Sequence, residues 1–191
     1  MKTNQSSKMP IPRATPLGLA LVLAIISHTL ITQNRLPLTR EHQLKAAFLF
    51  DFTKFIKWPC ESNCNSDSAL NFCLIGLSPL TMTLEQIVNY KTVRGRKAAI
   101  RSIQDKSQLE GCHVLYIPQS KRQELSGILD AASGNNILTV SDIKHFTRYG
   151  GMIEFLVIDN KLRFSINLRA AKRENLVFSS QLLKLAITLS E

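Results

Sequence analysis

The sequence has 191 residues, with 24 Lys and Arg against 14 Asp and Glu, so that its formal net charge is +10 at pH 7. This length suits one domain of ordinary size with an appendage. The charge does not indicate nucleic-acid binding, because no recognisable nucleic-acid-binding module is present and the basic residues are scattered. Their densest cluster, at Arg94, Arg96, Lys97 and Arg101, favours a solvated strand face or attraction to an anionic membrane or partner.

The N-terminal segment has the pattern of a secretory signal. Lys2, Lys8 and Arg13 precede an uncharged, mainly apolar run at residues 17–31. At about 15 residues the run is short for a helix that must cross a ~30 Å hydrocarbon core, so export with cleavage is favoured over a permanent anchor. We place the mature start between residues 30 and 38, which gives a signal peptide at residues 1–34 and an exported domain at residues 35–191. Loss of residues 1–33 removes three positive charges and no acidic residue, which lowers the formal charge to +7.

Strand and helix patterns alternate through the first part of the domain. An amphipathic helix is predicted at residues 41–58, with an aromatic stripe that favours core packing and with Pro59 at its end. Apolar runs predict buried strands at residues 70–76, 113–118 and 137–140, and a positively charged strand at residues 93–103. Helices are predicted at residues 80–88 and from Ser120, as N-cap, to Gly134. This alternation predicts a mainly parallel sheet flanked by helices.

The C-terminal part follows a different pattern. Residues 153–158 and 162–167 are rich in β-branched and aromatic residues, and the short connection at residues 159–161 predicts an antiparallel hairpin. The first of these strands is almost wholly apolar, which indicates a more fully covered strand. From residue 168 to residue 186 the spacing becomes helical, so a long amphipathic helix is predicted to close the domain. The predicted fold class is therefore α/β, a mainly parallel sheet with an antiparallel C-terminal hairpin and a closing C-terminal helix.

Four cysteines in an exported chain form an even set that allows three disulfide connectivities. Cys60 and Cys64 lie close together in a polar segment, whereas Cys73 lies in a predicted strand and Cys112 just before another. A bond between Cys73 and Cys112 would connect two neighbouring strands, and closing this loop of about 40 residues contributes roughly 4 kcal/mol in the chain-entropy model. Zinc binding is the weaker alternative, because the cysteines form no C-x-x-C pair and no histidine stands at ligand spacing.

Ser141, Asp142 and His145 could form a catalytic group. However, no G-x-S-x-G motif surrounds the serine, and a Ser-Asp pair after a strand is also an ordinary helix N-cap. Glycine motifs for phosphate binding are missing as well. The sequence therefore favours a binding or regulatory module over an enzyme, and it indicates neither a cofactor nor a metal.

Three groups of motifs resemble the YfiR family of bacterial periplasmic regulators, and together they span nearly all of residues 41–187. The first is Glu41-x-x-x-Lys45-Ala46-Ala47-Phe48-Leu49-x-x-Phe52-x-x-Phe55-x-x-Trp58-Pro59. The second is Cys73-Leu74-Ile75-Gly76 with Gly111-Cys112-His113-Val114-Leu115-Tyr116-Ile117. The third comprises Ile137-Leu138-Thr139-Val140-Ser141-Asp142, Gly150-Gly151-Met152-Ile153, Leu162-Arg163-Phe164-x-Ile166-Asn167 and Ser179-Ser180-Gln181-Leu182-Leu183-x-Leu185-Ala186.

The resemblance implies a non-catalytic periplasmic α/β domain, able to form a homodimer, that binds the periplasmic portion of an inner-membrane diguanylate cyclase and holds it inactive. Cyclic di-GMP signalling and biofilm formation would then fall. By resemblance, Cys73 and Cys112 match the structural cysteine pair of the family. The remaining two cysteines, Cys60 and Cys64, are predicted to form a second disulfide bond, in a loop for which the family offers no guide. The cyclase-binding residues do not follow from the resemblance.

Physical reasoning proposes the exposed face of the last hairpin for the partner, including Met152, Phe155 and Arg163, with a packed interior for Met152 and Phe155 as the alternative. A second functional class stays open beside the repressor. It is a periplasmic small-molecule sensor whose ligand binds at the carboxyl ends of the parallel strands, where open α/β sheets usually bind ligands.

Overall fold

The computed structural model describes residues 38–59, 69–89 and 91–190. The predicted signal peptide and the Cys60–Cys64 pair lie outside these residues. The α-helices of the described part are α1 (Leu38–Phe55), α2 (Leu80–Val88), α3 (Leu125–Ala132), α4 (Leu168–Arg173) and α5 (Ser180–Leu185). The strands are β1 (Ile56–Lys57), β2 (Leu70–Ile75), β3 (Thr92–Val93), β4 (Arg96–Ile103), β5 (Val114–Ile117), β6 (Leu138–Ser141), β7 (Ile153–Ile158), β8 (Lys161–Asn167), β9 (Val177–Phe178) and β10 (Thr188–Ser190).

Eight of these strands form one sheet in the order β10-β8-β7-β6-β5-β2-β4-β3. Strands β4, β2, β5, β6 and β7 run parallel to one another, and β10 runs parallel to β8. Strand β3 pairs antiparallel with β4, and β7 and β8 form the predicted antiparallel hairpin. Its turn consists of Asp159 and Asn160, both with positive φ, as a two-residue type I′ turn requires. The predicted fold class is confirmed.

Two apolar cores cover the two faces of the sheet. The larger core contains α1, whose Phe52 ring lies 5.1 Å from Phe164 and 5.8 Å from Phe155 between centroids. The smaller core lies beneath α3 and includes the fully buried Phe146. Burying a phenylalanine side chain contributes roughly 1.5–3 kcal/mol, so the aromatic stripe of α1 is explained by packing.

The prediction of one continuous C-terminal helix is wrong, because the helical segment is interrupted. The helix ends at Arg173 because Asn175 adopts a left-handed conformation with a φ of 53°. Strand β9 follows and pairs antiparallel with β1, and the Ser179 side chain then accepts a hydrogen bond from the Leu182 N–H and caps α5. The closing segment therefore consists of two short helices with a strand between them.

Three further boundaries differ from the prediction. The first helix ends at Phe55, because Ile56 and Lys57 pair with β9 instead of continuing the helix. Ser120 is not an N-cap, since it lies inside a 3-10 turn, Gln119–Glu124, that precedes α3. The distal half of β7 is not covered, because Val157 and Ile158 are exposed by 48% and 43%.

Candidate functional surfaces

The structure separates the three residues predicted to bind a partner. Met152 and Phe155 are only 3% and 4% exposed and belong to the larger core, so of the two alternatives given for them the packed interior is correct and the exposed face is not. Their side chains face inward because Phe155 pairs with Phe164 across the hairpin, on the side that α1 covers. Arg163 is exposed. Its role in partner binding stays a prediction.

Exposed apolar side chains occur near Arg163. Val157 and Ile158 lie at the end of the hairpin, and Ile187 and Leu189 lie beside β8 at the edge of the sheet. The Ile187 N–H donates to the Phe164 carbonyl, which fixes this segment to the hairpin. We call Val157, Ile158, Arg163, Ile187 and Leu189 the hairpin surface. The strand register puts Ile158 and Arg163 on one face of the sheet and Val157 and Leu189 on the other, so Ile158 is the exposed apolar side chain that lies beside the arginine. Exposed apolar groups and an arginine around an edge of a sheet suit protein binding.

Cys73 and Cys112 form the predicted disulfide bond. Cys73 lies within β2, and Cys112 immediately precedes the segment that enters β5, the neighbouring strand. Both half-cystines are buried in the smaller core. The bond therefore connects the interior of β2 to the segment that enters the adjacent parallel strand β5.

Ser141, Asp142 and His145 do not form a catalytic group. The buried Ser141 hydroxyl donates to the Ile117 carbonyl at 2.6 Å and accepts from the Ile143 N–H at 2.9 Å. The expected helix N-cap does not occur either, because residues 142–151 form an irregular loop. The Ser141 hydroxyl thus connects the end of β5 to the turn that follows β6.

A buried ion-pair cluster fills the carboxyl end of β6. Lys45 of α1 places its Nζ 2.6 Å from Glu41 Oε1 and 2.6 Å from Asp142 Oδ2. Burial opposes the ammonium charge, but the carboxylates of Asp142 and Glu41 outweigh it and raise the pKa of Lys45. Burial, reinforced by Asp142, also raises the pKa of Tyr116. Because this cluster connects α1 to the sheet, its first role is structural.

A cavity of about 460 Å³ lies at the opposite end of the parallel strands, where they begin. Trp58, Lys106 and Asn136 line it together with Arg96, Cys112 and His113, which precede or begin the parallel strands. The Trp58 Nε1–H donates to the Asn136 carbonyl at 3.0 Å and fixes the indole in the wall. The volume falls in the range of small-molecule sites, but the cavity lies at the amino ends of the strands and not at the predicted carboxyl ends.

His113 and Arg96 form a close contact in the wall of this cavity. Arg96 Nη2 lies 2.8 Å from His113 Nε2, and Arg96 also donates to the Ala69 carbonyl. Burial, together with the Arg96 charge, lowers the pKa of His113 to about 4. The imidazole is therefore neutral at pH 7. Both of its nitrogens are engaged within the protein, since Nδ1 accepts a hydrogen bond from the Asn71 N–H at 3.2 Å and Nε2 faces Arg96.

Within residues 38–59, 69–89 and 91–190, no three potential metal-ligating side chains of His, Cys, Asp or Glu come together. In the same part of the chain, no helix combines the length and the apolar character needed to cross a membrane.

Comparison with known proteins assigns the chain to a family. A family model described as YfiR/HmsC-like matches residues 42–187, which is most of the chain. This chain belongs to the YfiR/HmsC-like family. The match covers every helix and strand from α2 to α5 as well as most of α1.

One solved structure has a similar fold. It is a conserved domain protein from Vibrio cholerae O1 biovar El Tor, similar with a TM-score of 0.54 at 10% sequence identity. The alignment covers 78% of this chain and 60% of the Vibrio chain, so the similarity concerns the fold alone. No curated protein gives a significant match.

Sequence reasoning missed most of the residues that build these sites. The i,i+4 spacing of Glu41 and Lys45 could have indicated an ion pair, but Asp142 is 97 positions from Lys45. His113 and Arg96 were likewise visible only as an isolated histidine and a basic cluster. Their contacts depend on strand order, which no local pattern encodes.

Proposed function

We propose that this YfiR/HmsC-like domain is a periplasmic regulator that binds the periplasmic portion of an inner-membrane diguanylate cyclase and represses it. The observation that carries the proposal is the family match over residues 42–187. Repression through binding needs an accessible surface and no catalytic group, and the hairpin surface offers exposed apolar side chains, with Ile158 on the same face as Arg163. Cyclic di-GMP would fall without any contact between this domain and the nucleotide.

Deletion of the gene should raise cyclic di-GMP and surface attachment, and an exported copy should restore both. A copy without residues 1–33 should restore neither, because it would not reach a periplasmic partner. Val157→Asp should weaken repression, since it would place a carboxylate on the hairpin surface. Leu77→Asp, which makes the same charge change at an apolar side chain that is 92% exposed after β2, is the matched control and should leave repression intact. Unchanged cyclic di-GMP after deletion would contradict the proposal.

A small-molecule sensor is the second candidate function, and the cavity beside His113 favours it. A ligand there would contact Trp58, Lys106 and the walls next to the disulfide bond. Protein purified from the periplasm should carry a small molecule detectable by native mass spectrometry, and Lys106→Ala should reduce its occupancy. If the parent protein and the Lys106→Ala variant both showed only the mass of the polypeptide, the small-molecule sensor would be excluded.

A further inference from the structure

A groove of about 320 Å³ lies between α3 and the loop at residues 142–151. Its lining residues are Arg122, Gln123, Leu125, Ser126 and Tyr149. Tyr149 is 54% exposed, and the Arg122 guanidinium lies 5.5 Å from the centre of its ring. Arg122 also donates to the Tyr149 hydroxyl at 3.3 Å and to the Lys144 carbonyl at 3.1 Å. We call Arg122, Lys144 and Tyr149, with the groove beside them, the tyrosine surface.

The loop that presents Tyr149 is firmly attached to the sheet, although it has no regular secondary structure. The buried Glu154 carboxylate accepts hydrogen bonds from the His145 N–H and from the Thr147 N–H and hydroxyl. The Phe146 ring packs against Gly151, where a Cβ atom would come within 2.1 Å of it. A pre-ordered surface loses little conformational freedom when a partner binds, which favours its use in recognition.

The charge around the tyrosine surface is mainly positive. Arg122 of the 3-10 turn and Lys144 of the loop supply this charge, whereas Arg148 of the loop lines a separate groove beside β8. The acidic side chains nearby are partly compensated: Glu124 accepts a hydrogen bond from Lys121 at 2.8 Å, and Asp130 shares the neighbouring groove with Arg173. An acidic partner would therefore gain electrostatic attraction here.

We propose that the tyrosine surface docks an acidic protein segment that carries one apolar anchor side chain. The acidic residues would pair with Arg122 and Lys144, and the anchor would enter the groove against Leu125 and the face of Tyr149. Tyrosine and arginine are among the residues that contribute most to protein interfaces. This surface is distinct in sequence and structure from the hairpin surface, and the inference does not depend on diguanylate cyclase being the partner.

The test uses the full chain purified from the periplasm and a fluorescein-labelled peptide in which glutamates flank a single leucine. Fluorescence anisotropy should show binding that weakens as salt is added, because screening reduces the attraction. Two control peptides, one with lysines for the glutamates and one with alanine for the leucine, should bind at least about tenfold more weakly.

Three variants locate the binding site. Tyr149→Ala and Lys144→Glu should each weaken binding of the glutamate peptide about tenfold or more. Lys144 contributes its main-chain oxygen to Arg122, so Lys144→Glu leaves that hydrogen bond in place and tests the surface even if Tyr149→Ala unfolds. Arg163→Glu makes the same change in net charge on the hairpin surface and should have little effect. Absence of peptide binding, or an equal loss in Arg163→Glu and Lys144→Glu, would overturn the proposal.

Discussion

His113 is partly buried beside Arg96, and these two features lower its pKa from the ordinary value of 6.5 to about 4. The unfolded chain therefore binds a proton at His113 below about pH 6.5 that the folded chain does not take up until about pH 4. Stability consequently decreases as pH falls through this window. We expect urea unfolding at pH 5 to give a lower free energy of unfolding than at pH 7.

Two variants test the origin of this pH dependence. His113→Asn removes the titrating group and should flatten the dependence between pH 7 and pH 5. Arg96→Gln removes the neighbouring charge, so it should raise the pKa of His113 and reduce the slope. If His113→Asn kept the full pH dependence of the parent, another group would have to be responsible.

Individual residues were predicted well only where local pattern determines their environment. Along β8, the burial of Leu162, Phe164 and Ile166 follows the two-residue period of a strand, although Ser165 between them is buried as well. Phe155 was offered as a partner-binding residue because it lies in the last hairpin, but the side chains that cover it come from α1. A strand sequence does not state which of its faces a distant helix will cover.

At the scale of elements, the sequence identified the strands of the sheet better than the end of the chain. The helical spacing of residues 168–186 was real, but Asn175 interrupts the helix and β9 pairs with β1. Strand β1 was itself predicted as the last turn of a helix. Each of these two-residue strands is stabilised by the other, about 120 positions away, so neither could be recognised from its own sequence.

The bond between Cys73 and Cys112 joins β2 to the segment before β5 and closes a loop with a sequence separation of 39. Replacing both cysteines by alanine should lower the free energy of unfolding by about 2–5 kcal/mol, because the unfolded chain gains conformational freedom. The measurement is urea unfolding of the oxidised parent and the double variant. The reduced parent is the matched control and should resemble the variant, whereas identical unfolding midpoints for all three would contradict a stabilising bond.

At the scale of the whole molecule, alternating strand and helix patterns were sufficient for the fold class but not for the surfaces. The carboxyl ends of the parallel strands lie at the same end of the sheet, which is why a ligand was expected there. The ion-pair cluster of Glu41, Lys45 and Asp142 occupies part of that end. The cavity beside His113 lies at the opposite end, where the strands begin. The tyrosine surface joins residues 27 positions apart through Arg122 and Tyr149, a contact that depends on how the loop packs on α3.

Export and disulfide formation should be linked in this protein, because the N-terminal pattern predicts transfer out of the reducing cytoplasm and the fold contains a disulfide bond. Protein expressed from the full sequence should be recovered from the periplasm with Cys73 and Cys112 oxidised. Its new N-terminus should lie between about residues 30 and 38. A chain without residues 1–33 should stay in the cytoplasm with both thiols reduced. Trapping free thiols with a heavy maleimide reagent, followed by gel electrophoresis and N-terminal sequencing, distinguishes these states. Intact chain found only in the membrane fraction would indicate an anchor, and oxidised thiols in the shortened cytoplasmic chain would show that the bond forms without export.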